Sequence, residues 1–180
     1  NQNFEKYFKE YNFHKLYKEL LNFCSLDLSA FYFDIRKDVI YCDGKKSVER
    51  RSARTLLDII FNYLVRWFAP SLSFTTEEAW KSRNNASSIH LEDFLITPKS
   101  YKNSEINDIW ITLKQIRKVI TGALEKKRAD KIIGSSLEAH IDIYLEKSIL
   151  EKIKNYQLDE ISITSSFELH EINSNSQGFS

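Results

Sequence analysis

Residues 48–80, VERRSARTLLDIIFNYLVRWFAPSLSFTTEEAW, decide how the rest of the chain must fold. The first half repeats apolar side chains every three or four residues, the period of a helix with one apolar face: Ala53, Leu56, Leu57, Ile60, Leu64 and Trp67. Pro70 should end this helix, because proline has no amide hydrogen and disfavours helical geometry at the preceding residue. Thr75 and Glu78 have capping-box spacing, which predicts a second helix carrying Trp80. Two such helices cannot bury their apolar faces alone, so the remaining chain must complete a bundle.

The same period predicts further helices over residues 3–24, 28–39 and 104–129, with a break at 25–29. Gly44 is expected to form a turn and Gly134 to end the last of these helices, because glycine adopts positive φ angles readily. Residues 81–103 are polar and aperiodic, which predicts a long surface connection.

Beyond residue 134 the pattern changes to alternation over 139–145, which is typical of a strand. Ser148 and Glu151 again have capping-box spacing and predict a short helix. Further strands are expected at Ile161 and Ile163 and at Phe167 and Leu169. The predicted fold is therefore mainly α: a helical bundle over residues 1–134, a small α/β subdomain over 135–172 and a disordered tail over 173–180.

Composition narrows the class of protein. At 180 residues with 42% hydrophobic content, the chain can build the core of one ordinary domain. It has no apolar run long enough for a membrane span, and its two cysteines suggest a reducing, cytoplasmic compartment. The absence of methionine favours a piece of a longer protein.

Charge is unevenly distributed along the chain, although the formal net charge is only +1. Residues 45–66 carry six basic and two acidic side chains, and residues 114–131 carry seven basic and two acidic ones. Residues 135–172 reverse the balance, with eight acidic side chains against three basic ones. A basic helical part followed by an acidic part is expected where one end of a protein meets a polyanion.

Catalytic and metal-binding motifs are absent from the sequence. It contains no glycine-rich phosphate loop and no G-x-S-x-G elbow, and its four histidines have no metal-ligand spacing. We therefore predict no catalytic residue and no metal ligand.

Basic helix surface is the remaining functional feature, because lysine and arginine neutralise nucleic-acid phosphates. The candidate RNA-binding residues are Lys46, Arg50, Arg51, Arg54, Arg66, Lys114, Arg117, Lys118, Lys126, Lys127, Arg128 and Lys131. Composition leaves two interpretations open: a nucleic-acid-binding bundle, or a bundle that docks on another protein surface.

Four strings stand out in the sequence: FHKLYKELLNFCSLDLSAFYFDIRKDVIYCD, SVERRSARTLLDIIFNYLVRWFAPSLSFTTEEAW, SIHLEDF and ALEKKRADKIIGSSLEAHIDIY. In this order they resemble the anticodon-binding region of bacterial-type isoleucyl-tRNA synthetases, which belong to class Ia, and the resemblance covers roughly residues 12–172. The valyl, leucyl and methionyl enzymes share the fold but look less similar in these strings.

The resemblance implies a helix bundle that grips the anticodon stem and loop of isoleucine tRNA and contacts the catalytic domain of the same polypeptide. It also implies a parent ligase that joins isoleucine to tRNA with ATP and Mg²⁺. The HIGH and KMSKS signatures, the editing domain and the zinc module of that family are not in this sequence. We therefore expect the chain to bind RNA without catalysing the reaction. Two alternatives are a bundle that only docks on the catalytic domain and the equivalent domain of a valyl or leucyl enzyme.

Overall fold

The chain forms two compact units, residues 1–101 and 102–180, in a computed structural model that describes residues 2–83 and 87–172. Helices dominate the described residues, which confirms the mainly α fold class. None of the helices in these ranges is long and apolar enough to cross a bilayer. The tail expected at 173–180 lies outside the described residues.

Helices and short 3₁₀ turns are the regular elements in the described part of the first unit. Its elements are α1 (Gln2–Lys9), α2 (Phe13–Asn22), α3 (Asp34–Cys42), α4 (Val48–Phe68), α5 (Ser73–Arg83) and two 3₁₀ turns, Ile89–Leu91 and Lys99–Tyr101. A π-helical stretch of 11 residues, Phe23–Phe33, connects α2 to α3 without interruption.

The single helix expected over 3–24 is in fact two helices. The chain reverses at Tyr11, whose φ of 55° is left-handed, and the Asn12 side chain then caps α2 by accepting from the Lys15 amide at 3.3 Å. The apolar residues before and after this turn thus belong to two separate stripes. The break expected at 25–29 is also wrong, because the backbone stays helical there by adopting the wider π-helical turn.

The C-terminal half of α4 is packed on two sides. Helices α1 and α2 bury Phe4, Tyr7, Leu16 and Leu20, and this cluster packs against Trp67, with the Phe4 and Trp67 ring centroids 5.5 Å apart. A second cluster, formed by Val65, Ala69, Trp80 and Ile89, joins α4 to α5 and the first 3₁₀ turn. The stretch 48–80 therefore contributes to both of these clusters.

Of the two predicted helix boundaries around Pro70, the end of α4 is confirmed and the start of α5 is wrong. Helix α4 ends at Phe68, two residues before Pro70, as predicted. Helix α5 begins at Ser73, so Thr75 lies inside it and is not its cap. The Thr76 hydroxyl instead donates to the Leu72 carbonyl at 2.9 Å within the first turn.

The second unit combines one long helix with a small sheet. Its elements are α6 (Ser104–Ala129), a 3₁₀ turn (Ser136–Glu138), β1 (His140–Leu145), α7 (Lys147–Ile153), α8 (Leu158–Ser162) and β2 (Ser166–Glu171). Helix α6 buries Leu113, Ile116, Ile120 and Leu124 and packs against α7 and α8. The strands β1 and β2 are parallel, with His140 opposite Ser166.

Three expectations about this unit are wrong in detail. Helix α6 is ended by Lys131, which takes the left-handed conformation (φ 58°) expected of Gly134. Ile161 lies in helix α8 and Ile163 caps it with a φ of 57°, so no strand forms at these positions. Helix α7 begins before Ser148, with no side-chain cap bond. The strands β1 and β2 themselves are confirmed.

The boundary between the compact units lies before α6, at residues 101 and 102, rather than at residue 134. The apolar face of α6 explains this difference, because it packs against the helices that follow it in sequence. The α/β part and the long basic helix therefore share one core.

Candidate nucleic-acid interface

A basic cleft of about 780 Å³ lies in the first unit between the end of α3 and the beginning of α4. Four arginines and one aspartate line it, together with apolar and aromatic side chains: Ile40, Tyr41, Arg50, Arg51, Arg54, Thr55, Leu57, Asp58 and Arg83. We call this the arginine cleft. Its charged lining is strongly positive, so it favours an anionic ligand.

Local sequence explains why the arginines converge. Ser47 caps α4 by accepting a hydrogen bond from the Arg50 amide at 3.2 Å, which sets the start of the helix. Arg50 and Arg54 are four residues apart and Arg51 and Arg54 are three apart, so neighbouring turns present them together. The Arg50 guanidinium also donates to the Asp43 carbonyl at 2.7 Å, which ties α4 to the end of α3.

Arg51 and Arg54 are the cations most available to a ligand. Both are exposed, and within residues 2–83 and 87–172 neither side chain makes an ion pair or hydrogen bond. Arg51 also lines a neighbouring cleft of about 500 Å³ on α4. Two uncommitted guanidiniums side by side can each donate two parallel hydrogen bonds to phosphate oxygens.

The negative charge in the cleft is already compensated. Asp58 pairs with Arg83 from the end of α5, and the Arg83 guanidinium lies 4.7 Å from the centroid of the Phe61 ring. Arg83 was not among the predicted residues, because no local pattern indicates that it meets Asp58, 25 positions away. The pairing leaves the charge of Arg51 and Arg54 unopposed in the cleft.

Tyr41 also lines the cleft and is not among the predicted RNA-binding residues. Its side chain is 82% exposed at the end of α3, beside the arginines. An aromatic ring presented next to phosphate-binding groups can stack on an unpaired base. The signal in the sequence was its position after the predicted helix over 28–39 and before the turn at Gly44, where no apolar stripe includes it.

Arg66 is one of the predicted RNA-binding residues, but the structure buries its side chain. It is 7% exposed, and its guanidinium pairs with Glu92 at 2.8 Å and donates to the carbonyls of Asp93 and Asn62, both at 3.0 Å. It also lies over the Trp80 ring, 4.8 Å from the centroid. Since these contacts use its donors internally, Arg66 holds the turn after α5 in place and is not offered to RNA.

The second unit has its own set of cations. Lys118, Lys126, Lys127 and Lys131 are exposed and make no ion pair within the described ranges. Lys114 is also exposed. These residues remain candidates for phosphate contacts.

Two predicted arginines of this unit serve its structure. The Nε of Arg117 donates to the Ile161 carbonyl at 2.8 Å, connecting α6 to α8. Arg128 pairs with Glu125 and donates to the Ser136 hydroxyl at 2.9 Å, which anchors the chain beyond α6. The sequence could not show these contacts, because Ile161 and Ser136 come from later elements.

Lys46 and Arg50 complete the predicted set. Lys46 is exposed in the turn before α4, and Arg50 is half-buried through its contact with Asp43. The structure therefore brings Arg50, Arg51 and Arg54 into one cleft with Tyr41 and Arg83.

Residues 1–143 match the family described as the anticodon-binding domain of tRNA ligases. The chain belongs to this family, whose helical character agrees with the fold described above. The resemblance noted in the sequence is thereby confirmed.

The relatives include isoleucine–tRNA ligases from several bacteria. The chain is 55% identical over 174 residues to that of Pelagibacter ubique, a match covering 96% of this chain and 19% of the relative. Identity is 43% over 164 residues with the enzyme of Bartonella henselae and 44% over 157 residues with that of Agrobacterium fabrum. These two matches cover 90% and 86% of this chain and 17% and 16% of the relatives, so the chain spans less than a fifth of their length.

Proposed function

We propose that this chain binds the anticodon arm of isoleucine tRNA as a section of a cytoplasmic isoleucine–tRNA ligase. Family membership supports the anticodon arm as the ligand, and the names of the relatives support isoleucine as the amino acid. The observation that carries the proposal is the arginine cleft, in which Arg51 and Arg54 have no ion pair or hydrogen bond to any other residue that the structure describes.

In this proposal the arginines and the tyrosine have different roles. Arg51 and Arg54 hold backbone phosphates of the anticodon arm, which fixes its position without reading its sequence. Tyr41 stacks on an unpaired base of the loop, because its exposed ring lies next to them. ATP, Mg²⁺ and the bond-forming residues belong to other sections of the ligase, and this chain contributes binding.

The test is titration of transcribed isoleucine tRNA with the 180-residue chain at low salt, where electrostatic contacts give affinities on the order of micromolar. The double change Arg51→Ala and Arg54→Ala is expected to weaken binding by about tenfold. The control removes the same charge from the same unit outside the cleft, through Lys9→Ala and Lys18→Ala, which are exposed on α1 and α2. Equal affinity for the wild type and the cleft variant would contradict the proposal.

Tyr41 allows a second, independent measurement. Tyr41→Phe keeps the aromatic ring and should retain binding, whereas Tyr41→Ala should weaken it, since stacking on one base is worth about 1–3 kcal/mol.

Competition with valine and leucine tRNAs tests the amino-acid assignment. If either competitor binds as tightly as isoleucine tRNA, the isoleucine assignment fails at the level of this chain.

A specific observation also favours docking on the catalytic section of the same polypeptide. Large apolar side chains are exposed around the first turn of α5 and the 3₁₀ turn after it: Leu72 (48%), Phe74 (92%) and Leu91 (78%). Phe74→Ser in the full-length ligase should then lower aminoacylation while tRNA binding by the 180-residue chain stays unchanged. Unaltered aminoacylation would argue against this docking role.

A further inference from the structure

Two histidines and two carboxylates meet on one face of the small sheet. Side chains alternate between the two faces of a strand, so His140 and Asp142 of β1 lie on the same face. The parallel register places Asp142 opposite Glu168 and Tyr144 opposite His170, which brings Glu168 and His170 of β2 onto that face as well. We call His140, Asp142, Glu168 and His170 the sheet cluster.

Donor atoms of the sheet cluster approach one another closely, and those of three residues, His140, Asp142 and Glu168, are near enough to share one ion, with His170 adjacent to two of them. Asp142 Oδ1 lies 3.1 Å from His170 Nε2 and 3.6 Å from His140 Nε2, and Glu168 Oε2 lies 3.7 Å from His170 Nε2. His140, Asp142 and Glu168 each offer one ligand atom within 4.8 Å of the others. Tetrahedral zinc with bonds of about 2.0–2.1 Å separates its ligands by roughly 3.3 Å, so small rotations of exposed side chains suffice.

Neighbouring groups hold both imidazole rings in place. His140 Nδ1 lies 2.7 Å from the Ser166 hydroxyl, and when this nitrogen carries the hydrogen, Nε2 keeps a lone pair toward Asp142. The His170 ring is stacked on Tyr144, with centroids 4.9 Å apart and planes 24° apart. A second hydrogen bond from the non-ligating nitrogen is the usual arrangement around metal-bound histidine.

The strand register supplies an independent reason for a cation. Asp142 and Glu168 are direct partners across the two strands, and like charges in this position destabilise a sheet. The surrounding residues, 135–172, carry a net negative charge, which adds to the repulsion. A bound divalent cation would remove it.

We propose that the sheet cluster binds one divalent transition-metal ion of the zinc class and thereby fastens β2 to β1. The mixture of imidazole nitrogen and carboxylate oxygen selects zinc and its neighbours over Mg²⁺ and Ca²⁺, which prefer oxygen ligands alone. The ligands come in two pairs, His140 with Asp142 and Glu168 with His170, and the pairs are separated by 26 residues or more in the sequence, which is why the sequence alone did not indicate the site.

The test is titration of the metal-free 180-residue chain with Zn²⁺, followed by calorimetry. Saturable binding of one ion is expected, and the double change His140→Ala and His170→Ala should weaken it by at least about tenfold. The control is His14→Ala, which removes an exposed histidine from α2 in the other unit. Mg²⁺ at the same concentration should give no saturable binding.

A second readout protects the test against a variant that fails to fold. Zn²⁺ should raise the unfolding temperature of the wild type, a chelator should reverse the rise, and Asp142→Asn should abolish it while conserving side-chain shape. In NMR spectra, the imidazole signals of His140 and His170 should shift with Zn²⁺ while those of His14 do not. Unchanged zinc affinity in the double-histidine variant, or equal shifts at all histidines, would overturn the proposal.

Discussion

Arg66 shows how a single charged residue can be structural inside a basic helix. Its side chain is 8% exposed, and its partner Glu92 is 30% exposed, so this ion pair is largely removed from water. The guanidinium satisfies one carboxylate and two backbone carbonyls from different turns at once. Only the planar, multiply donating arginine head can make these contacts together.

Replacing Arg66 should therefore affect stability more than RNA binding. Arg66→Ala leaves Glu92 and the carbonyls without their donor and should cost about 3 kcal/mol of unfolding free energy. Arg66→Lys keeps the charge but loses the fork of donors, so a smaller loss is expected. Urea denaturation followed by circular dichroism measures both. If Arg66→Ala were as stable as the wild type, the structural role assigned to Arg66 would be wrong.

Glu77 gives the chain a defined sensitivity to acid. Hydrogen bonds from Lys81, first in importance, and from the Ser88 hydroxyl and the Ile89 amide lower the pKa of its carboxyl group from 4.5 to about 2. Because the pKa is lowered by folding, the ionised group stabilises the fold above pH 4.5. This contribution decreases as the pH falls and is lost below about 2.

Glu77→Gln should accordingly reduce the acid sensitivity of the chain. The wild type should be more stable than the variant at neutral pH, and the difference should shrink as the pH falls from about 5 to about 2. The measurement is the urea midpoint of both proteins over this range. Glu78→Gln, a change at the adjacent exposed residue, is the matched control. A pH-independent difference between wild type and Glu77→Gln would refute this assignment.

At the level of elements, helix α6 is ended by a lysine, Lys131, in the left-handed conformation that glycine usually occupies. The Lys131 amide donates to the Arg128 carbonyl and the Ile132 amide to the Lys127 carbonyl, both at 3.0 Å. This pair of bonds is a Schellman motif, in which the residue corresponding to Lys131 is left-handed and usually glycine. A side chain at φ 58° makes this helix end less stable than it could be.

Lys131→Gly should stabilise the chain by about 1 kcal/mol, because glycine adopts this conformation without steric cost. Lys131→Ala removes the same charge but keeps Cβ, so it should give no such gain. Thermal and urea unfolding distinguish the two variants. Both should weaken tRNA binding equally if Lys131 contacts phosphate. A gain of the same size in the alanine variant would show that charge, and not backbone conformation, limits stability.

Regular elements were predictable because periodicity reports directly which face of an element is buried. The period of 3.6 identified α4 and α6, and the period of two identified β1. The predicted boundaries that were wrong depend on how neighbouring elements meet. Tyr11, Lys131 and Ile163 take left-handed conformations without being glycine, so the sequence offers no warning.

The candidate site was predictable in part from charge. The basic composition of residues 45–66 identified Arg50, Arg51 and Arg54 as candidates, and their spacing along α4 places them on neighbouring turns. Arg66 was misassigned because a single apolar stripe describes one buried side of α4, whereas a second cluster around Val65 and Trp80 buries the other. Arg83 entered the cleft only through its contact with Asp58, far away in sequence.

For the whole molecule, the question is whether one tRNA contacts both compact units. A net charge of +1 conceals basic sets in each unit, and both retain exposed cations without ion pairs in the described ranges. Each phosphate that a lysine or arginine neutralises contributes about −0.9 to the slope of log affinity against log salt. The slope therefore counts contacts regardless of which unit supplies them.

Changing both units separately and together answers this question. Two double variants should each reduce the magnitude of the slope of log affinity against log salt by roughly 1.8. They are Arg51→Ala with Arg54→Ala in the first unit and Lys126→Ala with Lys127→Ala in the second. The quadruple variant should show both losses added, because contacts made simultaneously to one RNA contribute independently when they are well separated. Filter binding of isoleucine tRNA from about 50 to about 200 mM salt provides the slopes. A quadruple variant no weaker than Arg51→Ala with Arg54→Ala would confine tRNA recognition to the first unit.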